Sequence, residues 1–141
     1  MINGSTLCSS FKLGLFSGGH DFSLDVFYIA LYDDTADIGP DTTGYVTQGE
    51  ISGPGYAAGG RQLLNAQVLG PVGGIAYVTF DDPIWSNSSL TARGALIYNN
   101  TSGAQDSVAV LDFGSDMTSN NGDFRVKFPP AGSTTALIRI M

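Results

Sequence analysis

Two near-continuous apolar runs joined by turn-forming residues constrain this chain more than any other feature. Residues 95–98 (ALIY) and 108–111 (VAVL) show no polar alternation, and residues 99–103 (NNTSG) after the first run are typical breakers. A strand that is apolar at successive positions needs cover on both of its faces. The sequence therefore predicts a β-hairpin at the centre of a sheet.

Composition favours strands throughout the chain. Charged residues make up 13% of the 141 positions, against about 25% in ordinary soluble domains, and glycine occurs 19 times. The scarcity of Lys, Glu and Arg removes most good helix formers, while Gly, Ser, Thr and Asn suit tight turns. Because 43% of the residues are hydrophobic, we expect residues 1–141 to form a single domain around one core.

One short helix is expected near the N-terminus. Ser9 or Ser10 could cap its start, and the glycine pair at residues 18–19 would end it. Its apolar positions are expected to share one helical face. They are Leu7, Phe11, Leu15 and Phe16.

Strand patterns follow from residue 24 onward, separated by clusters of Gly, Pro, Asn and Asp. The first is the aromatic run 24–32, and residues 45–51 are a candidate edge strand. The other candidates are residues 62–69, 75–80, 90–98, 107–113, 124–128 and 136–140. About eight short strands at this spacing predict an all-β fold, either an antiparallel β-sandwich or a jelly-roll-like domain.

Charge and hydropathy argue against two classes of partner. The net charge is −7, and six scattered cations cannot track a phosphate backbone, so nucleic-acid binding is disfavoured. Residues 1–19 lack the regions of a signal peptide, and no run approaches the ~20 apolar residues of a membrane span. We expect a soluble protein made without export, whose single Cys8 is a small buried or half-buried residue.

Three patterns invite a cofactor, metal or catalytic assignment, and each has a simpler explanation. Residues 53–58 (GPGYAA) match a dinucleotide-binding glycine pattern but lack the preceding strand and following helix, so they are assigned to turns. The Asp-rich stretches 33–41 and 112–123 fit no calcium loop, since Glu50 is the only glutamate, and are assigned to capped turns. His20, the only histidine, is expected at a helix-to-strand corner with an ordinary hydrogen bond.

Trp85 has two possible roles. With Tyr56 and the Asp-rich loops it could stack on a sugar ring, as in a carbohydrate-binding module. A lone Trp beside Ile84 is more often a core residue that closes one end of a sandwich. A buried Trp85 ring would indicate the core role, and an exposed ring would indicate the sugar-binding role.

Several segments resemble small virion proteins of tailed bacteriophages. They are residues 29–32 (IALY), 49–56 (GEISGPGY) with 59–60 (GG), 80–85 (FDDPIW), 91–99 (TARGALIYN) and 110–114 (VLDFG). The resemblance implies an all-β, trimeric, non-enzymatic protein that sits on the capsid lattice as cement or decoration. Its implied partners are copies of itself and the major capsid protein, its location is the virion, assembled in the host cytoplasm, and it implies no catalytic residue and no cofactor.

The resemblance leaves the position in the virion open. Similar β-modules serve in tails and fibres, so the alternative is a tail- or fibre-associated protein or an adhesin-type carbohydrate-binding module. A glycan-binding signal that is lost in Trp85→Ala would favour the alternative. Copurification with empty shells would favour cement.

The C-terminal residues 136–141 (ALIRIM) remain apolar to the last position. A strand of this kind left in water would be an unpaired, adhesive edge, so it must pair within the sheet or be covered by a neighbouring copy. We expect this surface to contribute to the contact between subunits of a homotrimer.

Residues 124–128 (FRVKF) alternate strictly between apolar and basic side chains. The alternation predicts that Arg125 and Lys127 lie opposite the core face. If the C-terminal strand lies beside this one, Arg139 joins them in a basic strip. Such a strip either pairs with Asp side chains of the same chain or docks onto an acidic capsid surface.

Overall fold

The computed structural model describes residues 2–129, 132 and 137–140. Strands account for 43% of the described residues and helix for 6%, so the fold is all-β and sandwich-like, as predicted. The described residues form one helix and ten strands. These are β1 (Thr6–Leu7), α1 (Ser9–Phe16), β2 (Phe27–Tyr32), β3 (Arg61–Gln62), β4 (Gln67–Val72), β5 (Ile75–Thr79), β6 (Ile84–Ser88), β7 (Thr91–Asn99), β8 (Ser107–Thr118), β9 (Gly122–Arg125) and β10 (Ile138–Ile140).

The predicted central hairpin is confirmed. Strands β7 and β8 pair antiparallel, with Ile97 opposite Ala109, inside a five-stranded sheet of order β1-β8-β7-β2-β3. All four residues of the 95–98 run are buried, so cover reaches both faces of β7. Continuous apolar sequence thus marks the strand that lies in the middle of the sheet.

Two smaller sheets complete the layers, one of order β10-β5-β4 and one that pairs β6 with β9. Strand β6 was not predicted, because its sequence IWSNS lacks an apolar alternation. Its place is set by long-range pairing, in which Trp85 lies opposite Phe124. The two-residue strand β1 was not predicted either, because only its pairing with the distant strand β8 defines it as a strand.

The predicted edge strand at residues 45–51 is wrong. The segment makes only an isolated bridge, between Tyr32 and Glu50, and a second one pairs the preceding Gly44 with Asp106. It turns at Gly49, whose φ is +80°, and the Glu50 N–H donates to the Thr47 carbonyl at 3.2 Å. A chain that reverses within a few residues cannot continue a ladder.

The bounds of several other strands also differ from prediction. The expected strand 62–69 is split into β3 and β4 by Asn65, which adopts a left-handed φ of +56°. Strand β8 continues to Thr118, and β9 ends at Arg125 although the alternating pattern runs on to residue 128. Strand β10 pairs with β5, which confirms in-sheet pairing for its three residues. Ala136 and Met141, also named in the predicted subunit contact, lie outside the described residues.

Helix α1 forms where expected, but its predicted apolar face is wrong. Phe11 is buried, whereas Phe16 is 94% exposed. Five residues at 100° each place these two side chains about 140° apart, so both cannot face the core. Neither Ser9 nor Ser10 caps the helix, because Cys8 occupies the N-cap position and makes no capping side-chain bond.

Candidate partner-binding surfaces

An apolar cleft of about 490 Å³ lies between the far end of β8 and strand β9. We call it the β8–β9 cleft. Its apolar lining comes from both strands and from the chain on either side of residues 130–136. The lining includes Phe113, Met117, Phe124, Phe128, Pro129 and Leu137.

A bulge in β8 shapes one wall of this cleft. In the β7–β8 ladder, Gly94 lies opposite Asp112 and Ala92 lies opposite Met117. Residues 113–116 of β8 therefore face a single residue of β7, and the extra length carries the strand out of the regular ladder. Met117, just beyond the bulge, is 49% exposed.

An ion pair fixes the inner end of the same wall. Arg93 Nε donates to Asp112 Oδ1 at 3.2 Å, and its Nη1 lies 3.5 Å from Asp34 Oδ1. Hydrogen bonds from the Gly114 and Gly4 backbone N–H groups, together with Arg93, lower the pKa of Asp112 below its ordinary value. Asp112 therefore stays ionised, and its bond to Gly114 holds the start of the bulge.

The opposite wall is the alternating segment, and its predicted orientation is confirmed. Phe124, Val126 and Phe128 are buried, while Arg125 and Lys127 are exposed. Both cations line the β8–β9 cleft. The apolar half of the pattern thus belongs to the core and the basic half borders a surface cleft.

Arg125 already has a partner within the chain. Its Nη2 lies 2.7 Å from Asp82 Oδ2, and the Phe128 N–H donates to Asp82 Oδ1 at 2.8 Å. Although burial by itself opposes ionisation of Asp82, the Phe128 N–H and Arg125 lower its pKa overall. Arg125 therefore pairs with an Asp of the same chain, and this ion pair weakens the attraction of Arg125 for a binding partner.

The basic strip was predicted on the condition that the C-terminal strand lies beside residues 124–128, and that condition is not met. Strand β10 pairs with β5, where Arg139 lies opposite Tyr77, whereas β9 pairs with β6. Arg139 borders a groove beside β1 and β8 that adjoins the β8–β9 cleft, since both are lined by Ser5, Leu111 and Leu137. Arg125 and Lys127 therefore line the β8–β9 cleft, and Arg139 lines the groove next to it.

Glu50 is the centre of a cluster of hydrogen-bonded polar groups. Its carboxylate accepts hydrogen bonds from the hydroxyls of Tyr45 and Tyr56 and from the Gly59 N–H at 2.8 Å. Tyr98 donates to the Gly59 carbonyl at 2.6 Å and stacks on Tyr45. Since these polar groups satisfy one another, the cluster joins loop 44–60 to the central sheet and does not present a free acid or base.

The residues that suggested chemistry in the sequence have structural roles. His20 Nδ1 lies 3.1 Å from Asn99 Nδ2 at the corner between α1 and β2, as predicted. Trp85 is only 4% exposed and packs edge-on against Phe124, so it is a core residue and cannot act as a sugar platform. Cys8 is buried, as expected.

The glycine-rich segment 53–58 and the Asp-rich segment 33–41 contain the predicted turns, but the assignment of residues 112–123 to capped turns is wrong, because Asp112 and Asp116 lie in β8 and Asp123 lies in β9. In residues 53–58, the Tyr56 N–H donates to the Gly53 carbonyl at 3.2 Å. Asp33 Oδ1 accepts the Thr35 N–H at 2.8 Å, the geometry of a capped turn. Among the described residues, no three His, Cys, Asp or Glu side chains are grouped to hold a metal ion.

Sequence reasoning missed the Glu50 cluster and the β8–β9 cleft. A signal for the cluster existed, because the single Glu lies among tyrosines at positions 32, 45 and 56 in a chain with few charges. The cleft had no such signal. It depends on the bulge of β8 and on pairing between distant segments.

Comparisons of this chain with protein-family models, with curated proteins and with solved structures found no match. Within the described residues, no helix is long and apolar enough to cross a bilayer. The link to virion proteins therefore rests on the sequence segments that resemble them.

Proposed function

We propose that this protein is a non-enzymatic structural protein of a tailed-phage virion, a cement or decoration protein that binds the lattice of the major capsid protein. Two of the segments that resemble such proteins, residues 91–99 and 110–114, lie in the central strands β7 and β8. They form the middle of the main sheet, and Phe113 of the second segment also lines the β8–β9 cleft.

The β8–β9 cleft is the observation that carries the docking proposal. It combines an apolar lining with two exposed cations on a molecule whose net charge is −7. Phe113 and Met117 supply apolar contact area, and Arg125 and Lys127 supply the charge that an acidic partner would meet. Interfaces typically have this arrangement of an apolar centre with a polar rim.

The apolar contacts would provide most of the binding free energy. Removing apolar surface from water contributes roughly 25 cal/mol per Å². An exposed ion pair contributes about 0.2–1 kcal/mol, and Arg125 is already paired with Asp82. Lys127 and Arg125 would therefore mainly orient the partner and speed its approach.

Trimerisation, which the resemblance implies, would strengthen attachment. A trimer carries three clefts, which can bind three sites of the repeating capsid lattice at once. Once one cleft is bound, the other two are held near their sites at a high effective concentration, so that weak single contacts add up. The subunit contact need not involve the cleft, since the cleft faces the lattice in this proposal.

The proposal is tested by cosedimentation of the purified protein with empty shells of the phage that encodes it. Met117→Asp should reduce occupancy strongly, because it places a carboxylate in the apolar contact. Leu64→Asp is the matched control, since Leu64 is exposed to the same 49% but lines none of the clefts. Failure of the wild-type protein to bind shells, or binding to isolated tails instead, would overturn the assignment as capsid cement.

A further inference from the structure

His20, the only histidine in the chain, contacts a buried amide at the corner between α1 and β2. Its Nδ1 lies 3.1 Å from Nδ2 of Asn99, the last residue of β7, and Asn99 is fully buried. The imidazole ring also packs against Phe11 of α1 and Phe27 of β2, with ring centroids 5.0 and 6.2 Å away. His20 therefore connects the helix to two strands of the main sheet.

Two further hydrogen bonds fix the orientation of the Asn99 amide. Its Nδ2 also donates to Asp25 Oδ2 at 2.8 Å, and its Oδ1 accepts the Thr101 N–H at 3.0 Å. A flipped amide would turn its oxygen toward the Asp25 carboxylate and its NH₂ group toward the Thr101 N–H, so that both bonds would be lost. The NH₂ group of Asn99 therefore points at His20, and Nδ1 of His20 is the acceptor of their bond.

This geometry accommodates only the neutral imidazole. A ring nitrogen that accepts a hydrogen bond carries no proton, so the single proton of His20 is on Nε2. A second proton, on Nδ1, would place two donors opposite each other across 3.1 Å, and Asn99 cannot turn to offer its oxygen. His20 can take up that proton only by moving away from Asn99.

The elements around His20 contribute mainly acidic titratable groups. They are Asp21 and Asp25 on its own segment, Asp106 before β8, Tyr77 of β5, which lines the same groove as His20, and the exposed Lys12 of α1. Oδ2 of Asp25 already accepts bonds from Asn99 and from the Asp21 N–H. Burial lowers the pKa of His20 below its ordinary value of 6.5, although Asp106 and Asp25 act in the opposite direction. The carboxylates thus do not offset the burial of the ring.

The bond to Asn99 holds one end of segment 18–26, which connects α1 to β2. The other end is held independently, because the Val26 N–H donates to Thr101 Oγ1 at 2.7 Å. Part of this segment, including His20, forms one wall of a groove of about 460 Å³ between α1 and the three-stranded sheet. Loss of the His20–Asn99 bond would therefore open that wall while the segment stays attached at residue 26.

We propose that His20 is an acid-sensitive latch, which leaves Asn99 when it takes up a proton from solvent and releases residues 18–23 at their α1 end. Because the pKa of His20 in the closed form lies below its ordinary value, the closed form loses stability as the pH falls below about 6.5 and is unaffected above it. This inference is independent of the virion assignment, since no step of it involves the capsid.

The first test is NMR spectroscopy of the single imidazole in the isotope-labelled, full-length protein. At about pH 7.5 the proton should be on Nε2, and a titration down to about pH 5 should give a pKa for His20 below the value of a free histidine. A proton on Nδ1 at neutral pH would overturn the proposal. So would a raised pKa for His20, which would mean that the imidazolium pairs with Asp25 without leaving its place.

Hydrogen exchange of the same protein tests the opening. After correction for the intrinsic effect of pH, the amides of residues 18–23 should exchange at least about tenfold faster at about pH 5 than at about pH 7.5. The turn at residues 33–36 should not change. Equal exchange of residues 18–23 at both pH values would refute the latch.

Two variants assign the step to His20. His20→Gln cannot titrate, so the exchange of residues 18–23 should lose its dependence on acid. Thr101→Val is the matched control, because it breaks the bond to the Val26 N–H at the other end of the segment and adds no titratable group. It should speed exchange at both pH values and keep the acid step. An acid step that persists in His20→Gln would contradict the assignment.

Discussion

The hydroxyl of Tyr56 donates a hydrogen bond of 2.6 Å to Oε2 of Glu50, the only glutamate in the chain. Through the same side chain Glu50 also accepts from Tyr45 and from the Gly59 N–H. Tyr56 in turn accepts the Leu31 N–H of β2 at 3.0 Å. One carboxylate thereby connects three points of a long loop to the central sheet.

Replacing Glu50 by Gln should destabilise the fold by about 2 kcal/mol, because an amide loses charge-assisted bonds and turns one acceptor into a donor that faces other donors. Chemical denaturation measures the change. Asp37→Asn, the same substitution of a carboxylate at an exposed site, should have little effect. Equal unfolding midpoints for Glu50→Gln and the wild type would show that the cluster does not hold the loop.

Stability should fall at alkaline pH because the clustered tyrosines keep their protons. Burial, reinforced by Glu50, raises the pKa of Tyr32 and of Tyr56 above the ordinary value of 10.0. The same two causes raise the pKa of Tyr98 to about 12. In the unfolded chain these hydroxyls ionise near pH 10, so the folded state binds more protons above that pH.

The free energy of unfolding should therefore be steady below about pH 10 and then drop by about 1.4 kcal/mol per pH unit for each such tyrosine. Urea unfolding from neutral pH to about pH 11 measures the slope. Tyr56→Phe removes one titrating hydroxyl and should give a shallower decline. A variant slope identical to that of the wild type would contradict this assignment.

Gly60→Ala should destabilise the protein by about 4 kcal/mol. Gly60 has a φ of +82°, and an added Cβ would lie 1.8 Å from the Ile29 carbonyl oxygen, which belongs to a central strand and cannot move aside. Gly18→Ala is the matched control. Its φ is +73° with no atom within 4 Å of the added Cβ, so only the backbone conformation is penalised, by about 1 kcal/mol. Thermal or urea unfolding that ranks the two variants equally would refute the role of close packing at Gly60.

If the protein docks on a capsid as proposed, the double variant Arg125→Ser with Lys127→Ser should loosen that attachment without unfolding the core, because both side chains are exposed. Charge contacts are screened beyond about 10 Å at 0.1 M salt, so wild-type occupancy should also fall as salt rises. Occupancy on shells across a salt series measures both effects. If the wild type and the double variant bind equally at every salt concentration, the cations take no part in docking.

The sequence predictions were correct where a feature depends on the pattern along one strand, and they failed where it depends on pairing between distant segments of the chain. The β7–β8 hairpin and the orientation of residues 124–128 were predicted correctly, since hydrophobic periodicity along one strand specifies which faces are buried. Strand β6 and the position of Arg139 were not. Both depend on which distant segment pairs with which, as when β10 joins β5 and leaves β9 to β6.

The sequence by itself determined the fold class and the core, because short apolar runs separated by Gly, Asn and Asp can bury their side chains only as paired strands. It also determined that charge is scarce and the net charge negative. Only the tertiary structure decided which surfaces remain uncovered. Phe16 and Val68 are apolar like the core residues, but Phe16 is the last residue of α1 and Val68 lies on β4, the edge strand of its sheet, so both stay exposed.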